Sequence, residues 1–260
     1  MENNRNQTTY IGVRGHRGAG KPTISYLLAG TIDWYIRYRS FDESFEEFYK
    51  SLVDEILSNP DDFINMRPFD YVYLESFSDT QRVMCSMMLG IDIDHFYNEY
   101  SKDHLKVCLD NLEVTDVSEE DDLVTAEDKI AGSEGSLMTL REFCSYFSLG
   151  MQSLIGENVW IDSLENSKNM YRDSDSHTLY KVFYDVKMPS EVTYIVERQG
   201  YIVRVVRPGR KKRSTSLSSK LDSDTRVDFE VLIDGDDMMS CKEDLKEITQ
   251  IIVEGKTQID

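Results

Sequence analysis

Residues 15–23 read Gly-His-Arg-Gly-Ala-Gly-Lys-Pro-Thr, and this stretch decides the fold. It matches the phosphate-loop pattern G-x-x-x-x-G-K. A short β-prone run at residues 10–13 precedes the stretch, and Ile24, Leu27 and Leu28 follow it at helical spacing. Strand, glycine-rich turn and helix in this order form the structure in which such a loop binds phosphate. The sequence therefore predicts a nucleotide-binding loop, with an ordinary glycine turn as the alternative.

This loop is expected to hold a triphosphate mainly through its main chain. Its glycines let the backbone curl and turn N–H groups inward, and the helix after it presents a positive end. Lys21 adds a mobile cation for the β- and γ-phosphates. The residues that we assign to the phosphates are Gly15, Arg17, Gly18, Ala19, Gly20, Lys21 and Thr23.

Pro22 departs from the usual loop, which has Ser or Thr at this position to bind magnesium. Proline fits the first turn of a helix, but it has neither a hydroxyl nor an N–H. One metal ligand and one amide donor are therefore lost. Thr23 lies one residue later, and we expect it to face the α-phosphate rather than the metal.

Composition narrows the class of protein. A formal net charge of −19 over 260 residues argues against a protein that wraps duplex nucleic acid, because such binding relies on Lys and Arg. No apolar run approaches the roughly 20 residues that span a bilayer, and the polar first nine residues do not resemble a signal peptide. The four cysteines lack metal-ligand spacing. We expect a cytoplasmic protein with no membrane, nucleic-acid or zinc site.

Strand and helix patterns alternate along the chain, which predicts an α/β fold with a mostly parallel sheet and helices on both faces. The strand patterns occupy residues 10–13, 69–75, 179–184, 201–206 and 227–233, and the main helical patterns occupy residues 24–28, 31–61, 79–90, 139–155, 189–198 and 245–253. Ligands of such sheets bind at the carboxyl ends of the strands. The loop at Gly15 and the turns at residues 76–79 and 185–191 are predicted to converge there on one crevice.

Local signals predict the ends of two helices. Asp42 precedes the apolar spacing of residues 45–56 and is expected to cap that helix. Gly200 follows the pattern that starts at Pro189 and is expected to close it. The aromatic and basic residues 34–39 allow two interpretations, which are contact with a base or sugar and packing in the core.

Two segments differ in charge from their surroundings. Residues 112–136 are acidic and poor in large apolar residues, which predicts a solvated or disordered insertion, with metal binding as an alternative. Residues 207–220 begin with a basic run. That run is interpreted as a mobile lid over the nucleotide, and the alternative is a solvated loop with no role.

The order of the motifs resembles the bacteriophage-type deoxynucleoside monophosphate kinases, a branch of the P-loop kinases. The loop is similar to the family's GHKGSGKDT, and residues 76–79, Ser-Phe-Ser-Asp, resemble a turn that reads S-F-A-D in the family. Leu140-Arg141 and residues 156–160 resemble an L-R helix followed by G-x-x-x-W. The most specific part is D-V-R-F-P-N-E, a helix, G-G and a strand ending in R-P-G. It is matched here by Asp-Val-Lys-Met-Pro-Ser-Glu at residues 185–191, by Gln199-Gly200 and by residues 207–209.

The resemblance implies a single P-loop kinase-like domain over residues 1–260 that transfers a phosphoryl group from ATP to a deoxynucleoside monophosphate, with magnesium. It implies a host-cytoplasmic location if the chain is encoded by a phage. A homodimer is compatible with the sequence, which does not determine the oligomeric state. Pro22 and Lys187, which stands where the family has Arg, depart from the pattern. The alternative is therefore a kinase-derived binding protein that has lost turnover.

The resemblance also gives roles to four further residues. Arg141 and Lys187 are the candidates for gripping the acceptor phosphate or the transferred group, with a surface arginine and a salt-bridged lysine as the alternatives. Asp79 and Asp185 are candidates for holding magnesium through water or for orienting the acceptor, and capping of a helix is the alternative for Asp79. The four catalytic candidates are therefore Lys21, Arg141, Lys187 and Asp185, and the metal candidate is Asp79.

Overall fold

The structure is a computed structural model that describes residues 8–60, 63, 68–109, 111–116, 137–170, 179–208 and 226–255. The chain divides into two compact units. The first contains Met1–Phe77 and Tyr171–Asp260, and the second contains Ser78–Met170. The sequence analysis treats the chain as one domain and does not separate these units.

The secondary structure follows the alternation of the sequence. The strands are β1 (Thr9–Gly15), β2 (Val72–Glu75), β3 (Leu105–Cys108), β4 (Val114–Asp116), β5 (Leu137–Thr139), β6 (Tyr180–Val186), β7 (Tyr201–Val206) and β8 (Phe229–Leu232). The α-helices are α1 (Lys21–Tyr38), α2 (Glu43–Ser58), α3 (Asp79–Leu89), α4 (Glu99–His104), α5 (Leu140–Ile155), α6 (Val159–Met170), α7 (Pro189–Glu197) and α8 (Lys242–Glu254). A 3₁₀ turn covers Ile93–Phe96.

The first unit is built on a five-stranded sheet in the order β2-β6-β1-β7-β8. All four strand pairs are parallel, and β1 is the central strand. On β1, Arg14 lies opposite Val186 of β6 and Arg204 of β7. The predicted α/β fold with a parallel sheet is confirmed, and the loop that follows Gly15 leaves the middle of the sheet.

Side chains of β1 alternate between two packed faces. Ile11 and Val13 are fully buried in a core that also contains apolar residues of α1, α2 and α8. Gly12 lies between them in sequence and faces α7, because a Cβ atom at Gly12 would lie 2.4 Å from Cδ1 of Ile195. The prediction of helices on both faces of the sheet is confirmed.

Two of the aromatic residues near the end of α1, Trp34 and Tyr35, pack against other elements, and the third, Tyr38, is exposed. The ring of Trp34 stacks on Phe48 at 4.8 Å between centroids, and the Tyr35 hydroxyl donates to Glu254 at 2.5 Å. At about 1.5 Å per residue, Tyr35 lies roughly 20 Å along α1 from Lys21. Packing is therefore the role of Trp34 and Tyr35, whereas Arg37, Tyr38 and Arg39 are exposed and their contact with a base or sugar stays a prediction.

The Asp42 prediction is confirmed, since its carboxylate accepts hydrogen bonds from the amides of Ser44 and Phe45 at the start of α2. Gly200 closes α7 as predicted, because its amide donates to the carbonyl oxygen of Ile195 at 3.0 Å. Gln199 is the residue in the left-handed conformation, with φ of 57°. Gly200 is also a point of close approach, because a Cβ atom there would lie 2.4 Å from the carbonyl oxygen of Tyr10 on β1.

The second unit contains a small antiparallel sheet in the order β4-β3-β5. Its core includes Cys85 of α3, Val107 of β3 and Phe143 of α5. None of these three strands was predicted, because strands of three or four residues are too short to show a period of two. Residues 112–136 were predicted to be a solvated or disordered insertion, and this prediction is wrong for β4, which pairs with β3. The rest of that insertion, residues 117–136, lies outside the described residues.

None of the described helices has the length and apolar character needed to cross a bilayer.

Replacement of Gly200 by Ala tests the close approach of β7 to β1. The added Cβ meets a backbone oxygen rather than a movable side chain, so we expect Gly200→Ala to lower the unfolding free energy by about 1–3 kcal/mol. Gly150→Ala is the matched control, because Gly150 lies in α5 with nothing within 4 Å of its Cβ position. That control should gain about 0.5–1 kcal/mol from helix propensity. Urea denaturation of both variants measures the effect, and equal stabilities would contradict the close approach.

Candidate functional site

The loop between β1 and α1 has the backbone geometry that a phosphate loop requires. Gly18 and Gly20 adopt left-handed conformations, with φ of 78° and 90°. At Gly15 a Cβ atom would lie 2.7 Å from the carbonyl oxygen of Val205. The amide of Ala19 donates to the carbonyl oxygen of His16 at 3.1 Å, so the chain curls on itself. Each glycine of the pattern is therefore required by conformation or by space.

Lys21 opens α1 and folds back over the loop. Its Nζ donates to the carbonyl oxygens of Gly15 at 2.9 Å and His16 at 3.2 Å. The first backbone bond of α1 is donated by Ile24 to Gly20 at 2.9 Å, so the amides of Lys21 and Thr23 precede it. The first turn carries no acidic residue. A cation and the positive end of an 18-residue helix thus meet at the end of the central strand.

The remaining residues that we assigned to the phosphates lie around this turn. Arg17 and Thr23 are both partly exposed, and Pro22 is exposed. Pro22 offers neither an amide hydrogen nor a side-chain oxygen.

Asp185 joins the ends of two neighbouring strands. It was expected to follow the strand, but it lies within β6, one residue before its end. Its buried carboxylate accepts from the Ser76 hydroxyl at 2.5 Å and from the Phe77 amide at 3.2 Å, both in the chain directly after β2. Its Oδ2 atom also accepts from Nζ of Lys187 at 3.2 Å. The predicted turns after β2 and β6 are therefore brought together by this side chain.

Lys187 lies at the surface of the same cluster. Its side chain is half exposed and forms an ion pair with Asp185. The alternative interpretation of Lys187, a lysine in a salt bridge, is therefore also met in the structure. Two of the four catalytic candidates are thus in contact.

Glu191 belongs to this cluster, and the sequence analysis gave it no role. It is the third residue of α7, and its Oε2 atom accepts from the amides of Lys187 at 2.6 Å and Met188 at 2.9 Å. Burial, and then the charge of Asp185, raise the pKa of Glu191 to about 7. The signal for it was available, since Glu at the third position of a helix that starts with Pro is typical of an N-terminal cap.

The metal candidate Asp79 lies in the second unit and is held by two donors. Its Oδ1 atom accepts from Nη1 of Arg82 at 2.7 Å and from the Tyr97 hydroxyl at 3.0 Å. The Arg82 guanidinium stacks over the Tyr97 ring at 4.7 Å. Burial and then Asp79 raise the pKa of Tyr97 to about 12. Capping, the alternative for Asp79, is not its role, because the N-cap position of α3 is Ser78.

Arg141 also lies in the second unit, in the first turn of α5. Its Nε atom donates to Oδ1 of Asp103 on α4 at 2.6 Å. Its side chain is partly exposed. Asp79 and Arg141 therefore belong to one unit, whereas the phosphate loop, Asp185 and Lys187 belong to the other.

The described residues do not offer a ready set of magnesium ligands. Pro22 has no side-chain oxygen, and Asp79 and Asp185 already accept two and three hydrogen bonds. Within the described ranges, no group of three or more His, Cys, Asp or Glu side chains could hold a metal ion. The donor set at the expected positions thus does not fit a magnesium ion bound directly by the protein.

The start of the basic run is tied down. The Nε atom of Arg207 donates to the carbonyl oxygen of Gly235 at 2.5 Å, and its guanidinium pairs with Asp236. The side chain of Arg207 is largely buried by these contacts. The first residue of the predicted lid is therefore anchored to the segment between β8 and α8, and residues 209–220 of it lie outside the described residues.

The buried carboxyl group of Glu191 makes stability depend on pH. Its folded pKa of about 7 exceeds the ordinary value of 4.5, so the folded state binds more protons between these values. The unfolding free energy should therefore fall as pH rises from about 4.5 to 7, by about 3 kcal/mol. Glu191→Gln should lose this dependence, and Glu197→Gln, an exposed position on α7, should keep it. Urea denaturation at pH 5 and pH 8 gives the unfolding free energies of the parent and the two variants. The same change of free energy between the two pH values in all three proteins would rule out a raised pKa of Glu191.

Comparisons with known proteins do not assign this site. No protein-family model matches the chain, and no curated protein is significantly similar to it. The assignment to a family therefore depends on the motifs and their order, and it belongs to the proposal that follows.

Proposed function

We propose that this protein transfers a phosphoryl group from ATP to a deoxynucleoside monophosphate. The observation that carries the proposal is the loop at residues 15–23. It leaves the central strand of a parallel sheet, uses glycine where a side chain has no room, and ends in a lysine at the start of α1. Ligands of open parallel sheets bind at this edge.

The loop supplies the half of the site that binds ATP. A phosphate oxygen is a stronger acceptor for an ammonium group than a neutral carbonyl, because both partners of the bond are then charged. Lys21 would therefore exchange the carbonyl oxygens of Gly15 and His16 for the β- and γ-phosphates. The amides of the loop and of the first turn of α1 would hold the remaining oxygens.

The half of the site that binds the acceptor is proposed from the resemblance of residues 185–191. Support comes from the register, since β6 is the direct neighbour of β1 and Arg14 lies opposite Val186. Adjacent strands lie about 4.8 Å apart, so Lys187 and the phosphate loop leave the sheet side by side. The Lys187 side chain is half exposed and forms an ion pair with the buried Asp185. It would bind the acceptor phosphate or the transferred group. Arg141 is the second candidate for this role.

Such a site needs little covalent chemistry from the protein. Phosphoryl transfer is accelerated when the two nucleotides are held in line and cations lie where charge spreads in the transition state. Lys21 and Lys187 would supply these charges. Because the donor set does not fit a magnesium ion bound by the protein, we derive no step through that metal.

A second candidate function is nucleotide binding with weak or no turnover. It is favoured by Pro22, which removes a hydroxyl and an amide from the loop, and by Lys187, which lacks the planar fork of the family's arginine. Both candidates share the ATP site and differ in whether ADP is released.

A coupled assay of ADP release, run with ATP and magnesium over the common deoxynucleoside and nucleoside monophosphates, decides between them. We expect turnover with at least one deoxynucleoside monophosphate. Lys21→Ala should weaken ATP binding by at least about tenfold, or 1.4 kcal/mol, in calorimetry. Lys50→Ala, an exposed lysine on α2, is the matched control and should bind as the parent does. Binding without turnover would favour the second candidate, and equal binding by all three proteins would reduce the loop to a structural turn.

The role of Lys187 is tested by two substitutions. Loss of a contact made in the transition state lowers turnover, whereas loss of uniform binding raises only the Michaelis constant. We expect Lys187→Ala to lower kcat for the monophosphate about tenfold or more. Lys187→Arg should retain or raise activity, because the guanidinium binds phosphate in a bidentate manner. An unchanged rate for Lys187→Ala would place the lysine in the scaffold.

A further inference from the structure

The end of β6 beneath α7 carries an unusual concentration of charge. Asp185 and Glu191 are both more than 90% buried there, and Lys187 is the half-exposed cation between them. Three other charged groups lie on this strand or on its two neighbours. They are Arg14, which is buried on β1, and the ion pair of Glu75 on β2 with Lys181 on β6, at 3.4 Å.

The two carboxylates have different surroundings, and this determines which of them is ionised first. Asp185 accepts from a hydroxyl, an amide and an ammonium group, and all three donors favour the charged form. Glu191 accepts from two backbone amides and faces the charge of Asp185 in a buried position. Burial and then the charge of Asp185 therefore favour the protonated form of Glu191.

Glu191 holds the backbone on both sides of the Lys187 Cα atom, because its Oε2 atom accepts from the Lys187 amide at 2.6 Å and from the Met188 amide at 2.9 Å. Asp185 holds the other end of the same residue, at the ammonium group. The position of Lys187 is thus set at its main chain by one carboxyl group and at its tip by the other.

We propose that Glu191 is a positioning residue for Lys187, and that its proton determines whether the Lys187 ammonium stays on Asp185 or is available to a phosphate. When Glu191 is protonated, the pair carries one negative charge, which Lys187 balances. When Glu191 ionises, the second charge retains the ammonium more strongly and repels an approaching anion. The inference rests on the proposed function for the identity of the anion, and the burial that raises the pKa of Glu191 to about 7 supports it.

The first test follows the backbone amides of Lys187 and Met188 by ¹⁵N NMR during a pH titration of the full chain. We expect both signals to move with a midpoint near pH 7 in the parent protein and to lose this step in Glu191→Gln. Asp185→Asn is a second variant, which keeps an oxygen for the Phe77 amide and replaces the Oδ2 atom that accepts from Ser76 and Lys187. It should lower the midpoint, because the neighbouring charge is removed. A parent protein without the step overturns the proposal, whatever the protein binds.

The second test adds inorganic phosphate and follows the Lys187 amide. Between pH 6 and pH 8 the affinity of the parent for phosphate should fall about tenfold more than that of Glu191→Gln. A tenfold change corresponds to a shift of one unit in the pKa of Glu191 when phosphate binds. The ionisation of phosphate itself is the same for both proteins and cancels in the ratio. Equal pH profiles overturn the proposal. An amide step without any response to phosphate supports the positioning of Lys187 and removes Lys187 from the acceptor site of the proposed function.

Discussion

The central strand β1 has no room for a side chain at two positions, and the rest of the first unit depends on this constraint. At Gly12 the space is filled by Ile195 of α7, and at Gly15 by the carbonyl oxygen of β7. The first contact lets a helix pack on one face of the sheet while Ile11 and Val13 fill the core on the other. The second keeps the backbone close to β7 as it turns into the phosphate loop. One glycine-rich strand therefore serves both packing and the candidate site.

The cluster at the end of β6 shows how buried charge is balanced in this fold. Asp185 is stabilised by three donors, and loss of any one of them would leave a buried acceptor short of a partner, which costs more than the bond contributes in isolation. Glu191 is buried with a like charge nearby, so it keeps its proton up to a pH of about 7 although two amides donate to it. The two carboxyl groups, close in sequence, thus acquire opposite tendencies to ionise. Their difference comes from contacts and not from residue type.

The candidate residues divide between two compact units. The loop, Asp185, Lys187 and Glu191 belong to the unit with the parallel sheet, and Asp79 and Arg141 belong to the unit with the small antiparallel sheet. In the second unit both candidates are engaged locally, with Arg82, Tyr97 and Asp103. The geometry of the first unit therefore provides the stronger support for nucleotide binding, and a role for Arg141 depends on the resemblance alone.

The sequence by itself determined the features that arise within one continuous segment. The alternation of strand and helix, the loop before α1, the Asp42 cap and the parallel sheet follow from periodicity, glycine placement and capping side chains, which act over a few residues. Tertiary structure decided what depends on residues distant in the chain. Examples are the pairing of β4 with β3, the packing of Trp34 and Tyr35 against other elements, and the close approach that requires Gly200. The bond from Ser76 to Asp185 spans 109 residues, and the raised pKa of Glu191 requires burial that the fold supplies. Local patterns carry no information on such contacts, because burial and cross-strand distance exist only once the chain has folded.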